Sequence, residues 1–364
     1  MDEMNATDWF SKPGDSIRAV MQRRLLTAEQ VADKLDGGLA LLRSLLDGSH
    51  RIDRTVADGL AGALGASPAF WLKRQENFEK AVDRAVAAVA KDDIDDFIQN
   101  VPAPGKRPKG KMTDARRAEE VRKRLVYFSV PSPKSWDEHY GRLIGRTDFR
   151  SSSAYETKEE AVLLWLRRGE LEADLIKTKD WKVGNLEDRL QAIKELSMLK
   201  VPEQFLPKLR TILAGAGVAL AVVKAPDGCR ASGATRLVTP DKALILVSFR
   251  HRSDDQFWFT LFHEIGHLVL HHAQTFVDTD EMVMDDREDE ANLYARRCIV
   301  PDEKMAEFET LTEDRDRVLR FSVRSKMAAG LTVGQLQKRR IIGPDKLNYL
   351  KRRWSWEEIA PVEI

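Results

Sequence analysis

The sequence predicts an α+β protein in which helices predominate: a bundle of short amino-terminal helices, then a domain with a small sheet and one long helix. Apolar residues recur at helical spacing through residues 13–80 and 113–216. Two Val-, Leu- and Ile-rich segments, 218–224 and 243–249, are the candidate strands. A long apolar helix is expected to begin near Asp255.

Size and composition exclude several classes of protein. The 364 residues have room for two or three domains, and the net charge of +1 favours neither nucleic acid nor membrane as a partner. Residues 1–10 are acidic and short of apolar side chains, unlike a signal peptide, and the apolar stretch 257–270 is too polar to span a bilayer. Two cysteines, Cys229 and Cys298, suit a reducing compartment. We therefore expect a cytoplasmic protein with no membrane partner.

Five short helices are predicted within residues 13–80, each bounded by a cap or a turn. Thr27 and Gln30 have the spacing of a capping box at the start of the second helix. Pro13-Gly14 opens the first helix, and Ser67-Pro68 starts the fifth. Turns at Asp36-Gly37-Gly38 and Asp47-Gly48 bound the third helix (Leu39–Leu46), and Gly65 closes the fourth (Thr55–Leu64). Phe70, Trp71 and Phe78 are the expected core anchors of the fifth helix. Such helices with short turns predict a small helix-turn-helix bundle within residues 1–100.

The remaining chain divides into three predicted parts. Residues 101–112 combine Pro, Gly and Lys with few apolar side chains and are predicted to be a linker. Residues 113–200 form a helical connecting region, and residues 201–364 form a second domain with a basic helical tail.

The long helix contains the motif His263-Glu264-Ile265-Gly266-His267 inside the apolar run 257–270. Residues four apart share one helix face, so both imidazoles can bind a single cation. Glu264 lies beside them, where it can take a proton from a water activated by zinc. Polar groups in such apolar surroundings need partners, and a metal supplies one. The motif predicts a zinc-dependent peptidase site of the zincin type, with Zn²⁺ as the cofactor.

A catalytic zinc needs a third protein ligand. His271 lies on the same helix, which cannot easily wrap three ligands around one ion. The metzincin pattern is excluded, because Leu270 and Ala273 stand where that class has Gly and His. Glu288 is the preferred candidate and Glu290 its rival. Asn292, four residues after Glu288, could then hold a ligand histidine through its other ring nitrogen.

Two further features of the predicted site stay open. The group that stabilises the oxyanion could be any of four side chains, namely Tyr294, His271, His272 or Arg250. The strand at 243–249 could pair with an extended peptide substrate, or it could be an ordinary core strand.

About residues 200–356 resemble the ImmA/IrrE metallopeptidases. The segments that carry the resemblance are S-G-A-T-R (232–236), A-L-I-L-V-S-F-R (243–250), D-D-Q-F-W-F-T-L-F-H-E-I-G-H-L-V-L-H-H (254–272), E-D-E-A-N-L-Y-A-R-R-C-I-V-P (288–301), T-V-G-Q-L-Q-K-R-R-I-I (332–342) and N-Y-L-K-R-R-W-S-W (348–356). The resemblance implies an intracellular zinc peptidase with a gluzincin-like core, in which the family's glutamate ligand corresponds to Glu288. It also implies a protein substrate, since characterised members cleave a helix-turn-helix repressor and so switch on stress, phage or mobile-element genes.

Residues 13–78 resemble the HigA-like branch of the Xre helix-turn-helix family. The matching segments are P-G-D-S-I-R (13–18), T-A-E-Q-V-A-D-K-L (27–35), L-L-D-G (45–48) and A-L-G-A-S-P-A-F-W-L (63–72). The resemblance implies DNA as a partner, with Arg43 and Ser44 of the third helix as the candidate base-reading residues. However, this helix begins with Gly and Leu residues, and the domain is not basic. A module that docks a partner protein, or a second copy in a homodimer, is the competing interpretation.

Residues 315–353 are strongly basic, with twelve Lys or Arg against two Asp. They could bind nucleic acid, form the solvated face of helices that pack on the peptidase, or complement the acidic stretch 278–290. Two functions are therefore carried forward. The first is a zinc peptidase that cleaves a regulatory protein, such as a repressor, to control stress, phage-defence or toxin–antitoxin genes. The second is an antitoxin-like, DNA-binding regulator whose zinc site is structural or sensory.

Overall fold

The computed structural model describes residues 11–105, 110–141, 159–271, 276–279 and 286–364. These residues fall into two compact units, and the residues of each unit pack mainly against one another. The first comprises the described residues up to 141 together with 159–176, and the second comprises those from 177 to 364. The boundary lies inside the region 113–200 that the sequence predicts to connect two domains.

The first unit is entirely helical over its described residues. Its α-helices are α1 Pro13–Arg24, α2 Ala28–Ala32, α3 Gly38–Asp47, α4 Arg54–Leu64, α5 Pro68–Ala88, α6 Ile94–Asn100, α7 Asp114–Phe128, α8 Pro133–Trp136 and α9 Glu159–Leu175, with a 3-10 turn at Lys91–Asp93 and a π turn at Asp137–Gly141.

The predicted caps of the first five helices are confirmed. Thr27 and Gln30 form the capping box of α2. The backbone N–H of Gln30 donates to Thr27 Oγ1, and the backbone N–H of Thr27 donates to Gln30 Oε1. The left-handed residue Gly48 ends α3 (φ 83°), a conformation that glycine adopts without steric cost. Ser67 caps α5, which begins at Pro68.

The expected anchors of α5 divide between core and surface. Trp71 is fully buried and Phe78 nearly so, whereas Phe70 is 45% exposed, so its prediction as a core residue was wrong. Phe70 instead packs its ring edge-on against Trp71.

Val101, at the start of the predicted linker, is buried, and its carbonyl accepts a hydrogen bond of 2.7 Å from Arg124.

The second unit is α+β. Its α-helices are α10 Val183–Glu187, α11 Leu190–Leu196, α12 Pro202–Ala214, α13 Asp254–Leu270, α14 Asp286–Ile299, α15 Asp302–Glu309, α16 Arg315–Arg324, α17 Ala329–Lys338 and α18 Trp356–Ile359, with a 3-10 turn at Asn348–Leu350. Its strands are β1 Val218–Val222, β2 Ala231–Thr239, β3 Lys242–Val247 and β4 Phe276–Thr279. The prediction of a mostly helical α+β protein with a small sheet is confirmed.

The four strands form one mixed sheet in the order β1-β3-β2-β4. β1 runs parallel to β3, whereas β2 is antiparallel to both β3 and β4. Because β3 has a neighbour on each side, its backbone is not free to pair with a substrate. The suggested strand addition at residues 243–249 is therefore wrong, and the alternative of an ordinary core strand is correct.

The motif helix α13 packs against β2, β3 and α14. Alternate residues of β1 and β3 face the same hydrophobic core as Trp258, Leu261 and Phe262 of the helix, as the period of two along a strand requires. Fourteen residues of α13, among them both motif histidines and Glu264, are buried. The motif is therefore held between the sheet and α14. Among the helices of the described residues, none combines the length and the apolar composition that a bilayer span requires.

Candidate metal centre and active site

Two histidines of α13 and one glutamate of α14 converge on a single point. Nε2 of His263 lies 3.0 Å from Nε2 of His267. One carboxylate oxygen of Glu288 lies 3.1 Å from His263 Nε2, and its other oxygen lies 3.1 Å from His267 Nε2. The candidate ligand atoms of the three side chains all lie within 4.8 Å of one another.

The surroundings of His267 and Glu288 favour the protonation states that bind a metal. Burial lowers the pKa of His267 despite the opposing effect of Glu288, so the ring is held neutral. Burial alone would raise the pKa of Glu288, but the two histidine rings outweigh it and lower that pKa to about 2. Neutral imidazoles and an ionised carboxylate are the forms that ligate metals. A set of two histidines and one glutamate fits catalytic zinc, which takes three protein ligands and keeps one position open.

A glycine lets the helix that carries Glu288 approach the motif. A Cβ atom at Gly266 would lie 3.2 Å from the Cα and carbonyl oxygen of Ala291, and 3.3 Å from the Cβ of Tyr294. Such distances are tighter than ordinary van der Waals contact, so a larger residue would push α14 away. Because Ala291 lies one turn after Glu288, this close approach sets the reach of the Glu288 carboxylate towards His263 and His267.

The Glu264 side chain is directed towards β2. Its carboxylate is fully buried, and a Cβ atom at Gly233 would lie 2.3 Å from Glu264 Oε1. The hydroxyl of Thr235, two residues along β2, donates a hydrogen bond of 3.3 Å to the Glu264 backbone carbonyl. The carboxylate of Glu264 therefore occupies space that any side chain at Gly233 would fill.

The other ring nitrogen of His267 is paired with a histidine. Nδ1 of His267 lies 3.1 Å from Nδ1 of His271, and Nε2 of His271 lies 2.9 Å from Glu290 Oε2. Within the described residues no hydrogen bond joins the Asn292 amide to either motif histidine, and the neighbour of His267 Nδ1 is His271. Glu290, the rival ligand, contacts His271 and is not part of the three-residue group.

Three of the four candidate oxyanion stabilisers lie within the described residues, each in different surroundings. The Tyr294 hydroxyl lies beside the Cys298 thiol, and burial, followed by this thiol, raises the pKa of Tyr294. Arg250 Nη1 donates to the carbonyl of Arg230 at 2.7 Å, and His271 joins His267 to Glu290. His272 lies outside the described residues.

A shallow pocket lies at the amino-terminal end of α13. Its lining comes from β2 (Ser232), the end of β3 and the segment that follows it (Val247, Phe249, Arg250, His251, Arg252, Ser253), and the first two turns of α13 (Gln256, Phe257, Thr260). Ser232 adjoins Gly233, and Thr260 lies one turn before Glu264.

The two candidate DNA-reading residues are bonded within the first unit. Arg43 Nε lies 3.1 Å from Glu172 Oε2 of α9, a carboxylate that is nearly buried. Ser44 Oγ donates to the carbonyl of Leu41 at 2.9 Å, within its own helix. α9 packs against α3, and the Glu172 carboxylate is shared by the guanidinium groups of Arg43 and Arg168.

Sequence reasoning missed β2 and the residues with which it contacts the motif. Gly233 and Thr235 stand in S-G-A-T-R, a segment noticed only for its resemblance. The β-branched and apolar run from Thr235 to Thr239 is typical of a strand, but small residues before it conceal the pattern. The pairing of His271 with His267 could have been suspected, because residues four apart share a helix face.

Residues 222–336 match the sequence profile of the IrrE N-terminal-like domain of the Peptidase_M78 family. The match begins at the last residue of β1 and ends within α17. It therefore includes all of α13 and α14, with the three converging residues and Glu264. No curated protein matches the chain. This part of the chain is thus similar to the IrrE N-terminal-like domain, and the match indicates a metallopeptidase.

Proposed function

We propose that the second unit is a zinc-dependent endopeptidase of the gluzincin type. The observation that carries this proposal is the convergence of His263, His267 and Glu288 beside Glu264. His263, His267 and Glu288 would hold the zinc, and the domain match supports peptide hydrolysis as the chemistry. Two histidines and one glutamate are a known set of protein ligands for catalytic zinc in peptidases.

The side chains have separate tasks in this proposal. When bound, zinc polarises the scissile carbonyl and increases the acidity of water. Glu264 accepts a proton from the attacking water and delivers it to the leaving amine. The buried position of Glu264 under β2 limits the directions in which its carboxylate can turn, so its proton-accepting oxygen is already oriented before substrate binds.

We further propose that the substrate is a regulatory protein, such as a helix-turn-helix repressor. The resemblance of residues 200–356 to the ImmA/IrrE metallopeptidases supports this choice. Cleavage of a repressor would switch on the genes that it controls, in stress response, phage defence or a toxin–antitoxin system.

The first unit is proposed to be an Xre-like helix-turn-helix module that docks a protein, a substrate or a second copy of this chain. Its confirmed helix caps and its resemblance to HigA-like sequences support the motif. The pairing of Arg43 with Glu172 favours protein docking over DNA reading, because the guanidinium must leave this carboxylate before it can reach a base edge or a phosphate.

The proposed activity is tested with Glu264→Gln, which preserves the size of the side chain but cannot accept the proton. Cells carrying wild-type or variant protein are compared for new protein termini by mass spectrometry, and zinc content is measured on both purified proteins. We expect stoichiometric zinc in both and a cleaved partner only with the wild type. Glu303→Gln, which changes an exposed carboxylate of α15, is the matched control.

The outcomes of this experiment separate the two functions. If the regulatory effect survives Glu264→Gln while zinc is retained, the protein is the antitoxin-like regulator with a structural or sensory zinc site. If the wild type contains no zinc, the peptidase proposal is wrong.

A further inference from the structure

A three-residue chain of hydrogen bonds links the buried motif to the surface. It runs from His267 through His271 to Glu290, with contacts of 3.1 Å and 2.9 Å. Side-chain exposure increases along it, from 1% for His267 to 8% for His271 and 61% for Glu290. The end of α13 is thereby joined to α14 at a second point besides the Glu288 contact.

The hydrogen atoms in this chain can be assigned from chemistry. A neutral imidazole carries one N–H, so if His267 presents Nε2 to a metal, its hydrogen is on Nδ1. That N–H then donates to Nδ1 of His271, which must be unprotonated at that nitrogen. His271 consequently carries its own hydrogen on Nε2 and donates it to the Glu290 carboxylate. Both contacts are satisfied by neutral rings in a single arrangement of hydrogens.

The backbone holds His271 in place for this task. His271 is the C-cap that directly follows α13, and its backbone amide donates to the His267 carbonyl at 3.0 Å. The two rings therefore share the last turn of the helix, and the spacing between them is fixed by local geometry. Glu290 follows Glu288 by two residues on α14, so the helix that supplies the proposed glutamate ligand also supplies the end of the chain.

We propose that His271 and Glu290 are positioning residues that fix the tautomer and the orientation of His267 for metal binding. The proposal rests on the proposed zinc peptidase function. Histidine ligands commonly donate their other N–H to an acceptor, and loss of that acceptor costs about 10–100-fold in metal affinity. Here the acceptor is a second histidine, oriented in turn by an exposed carboxylate, an arrangement that the sequence prediction for Asn292 did not anticipate.

The test measures zinc affinity of the full-length protein by competition with a chromophoric chelator. We expect His271→Ala to weaken zinc binding about 10–100-fold. Glu290→Ala should weaken it by a smaller factor, since an exposed partner contributes less. His271→Gln and Glu290→Gln, which retain an acceptor, should restore most of the affinity. Asp289→Ala, an exposed neighbour on α14, is the matched control and should bind zinc as the wild type does.

Two further measurements separate positioning from a general structural effect. Because Glu290 acts through His271, the double variant His271→Ala/Glu290→Ala should lose no more affinity than His271→Ala alone. In the cobalt-substituted proteins, His271→Ala should also shift the visible ligand-field bands, which a change confined to the surface would not do.

The outcomes keep this inference distinct from the proposed function. If the wild type binds zinc and cleaves its partner while His271→Ala and Glu290→Ala retain wild-type affinity, the positioning role is wrong and the peptidase stands. If the wild type binds no zinc, both are wrong. Should His271→Ala fail to fold, the comparison of Glu290→Ala with Glu290→Gln and Asp289→Ala still tests whether this hydrogen-bond chain affects zinc affinity.

Discussion

Gly233 of β2 and Glu264 of α13 are in such close contact that a Cβ atom on the glycine would lie 2.3 Å from Oε1 of the glutamate. A methyl group at this position must displace the carboxylate that is proposed to move the proton. The contact links the geometry of the sheet to the chemistry of the motif helix.

We therefore expect Gly233→Ala to lower peptidase activity while zinc binding is retained. A displacement of about 1 Å in a reacting group can cost on the order of 100-fold in rate. The measurement is cleavage of the identified partner together with zinc content. Thr239→Ala, at the exposed end of the same strand, is the control. Wild-type activity in Gly233→Ala would show that the Glu264 carboxylate is not confined by β2.

Replacement of Gly266 should weaken zinc binding as well as catalysis. In Gly266→Ala the new methyl group meets the backbone of Ala291 at 3.2 Å, and α14 must move with the proposed ligand Glu288. We expect weaker zinc binding in a competition titration. Gly184→Ala is the matched control, because a Cβ atom there would meet nothing within 4 Å. Equal affinity in both variants would contradict the role assigned to this helix contact.

Asp254, at the start of α13, should make stability depend on pH. Burial and then the neighbouring Asp255 raise the pKa of Asp254 from its ordinary value of 3.8 to about 7. A raised folded-state pKa stabilises the fold below the unfolded pKa, and this contribution is lost as the pH rises towards 7. The loss is at most about 4 kcal/mol, since each unit of pKa difference corresponds to about 1.4 kcal/mol.

The matching experiment replaces this acid with a neutral isostere. We expect Asp254→Asn to have a smaller fall in melting temperature between pH 5 and pH 8 than the wild type. Chelator is present in every sample, so that metal binding contributes nothing. Asp302→Asn, an exposed carboxylate of α15, serves as the control. An unchanged pH dependence in Asp254→Asn would mean that this carboxyl is ionised in the folded protein.

The first unit should bind DNA poorly, because Arg43 is paired with Glu172. We expect full-length protein to produce no sequence-specific gel shift with the DNA upstream of its own gene. Arg43→Ala should leave any residual, salt-sensitive retardation unchanged. Specific retardation that Arg43→Ala abolishes would restore the DNA-binding interpretation and show that Arg43 leaves Glu172 to reach a base.

Short-range features of the fold could be predicted from the sequence. The capping box at Thr27, the left-handed Gly48 and the proline at the start of α5 act within one turn of helix, so neighbouring residues determine them. The same holds for His263 and His267, whose common face follows from a spacing of four.

Contacts between elements could not be predicted in this way. The exposure of Phe70 depends on what packs over α5. The central place of β3 depends on β2, whose small residues concealed it. The bond from Arg43 to Glu172 joins residues far apart in sequence.

The sequence by itself therefore determined the caps of the first helices, the mostly helical α+β class and the pair of histidines that share one face. Only the tertiary structure decided which acidic residue meets them, placing Glu288 at the rings and Glu290 at His271. The reason is physical: periodicity and capping are properties of a local segment. The distance between two helices, by contrast, is set by the packing of residues such as Gly266 and Ala291, which no local pattern encodes.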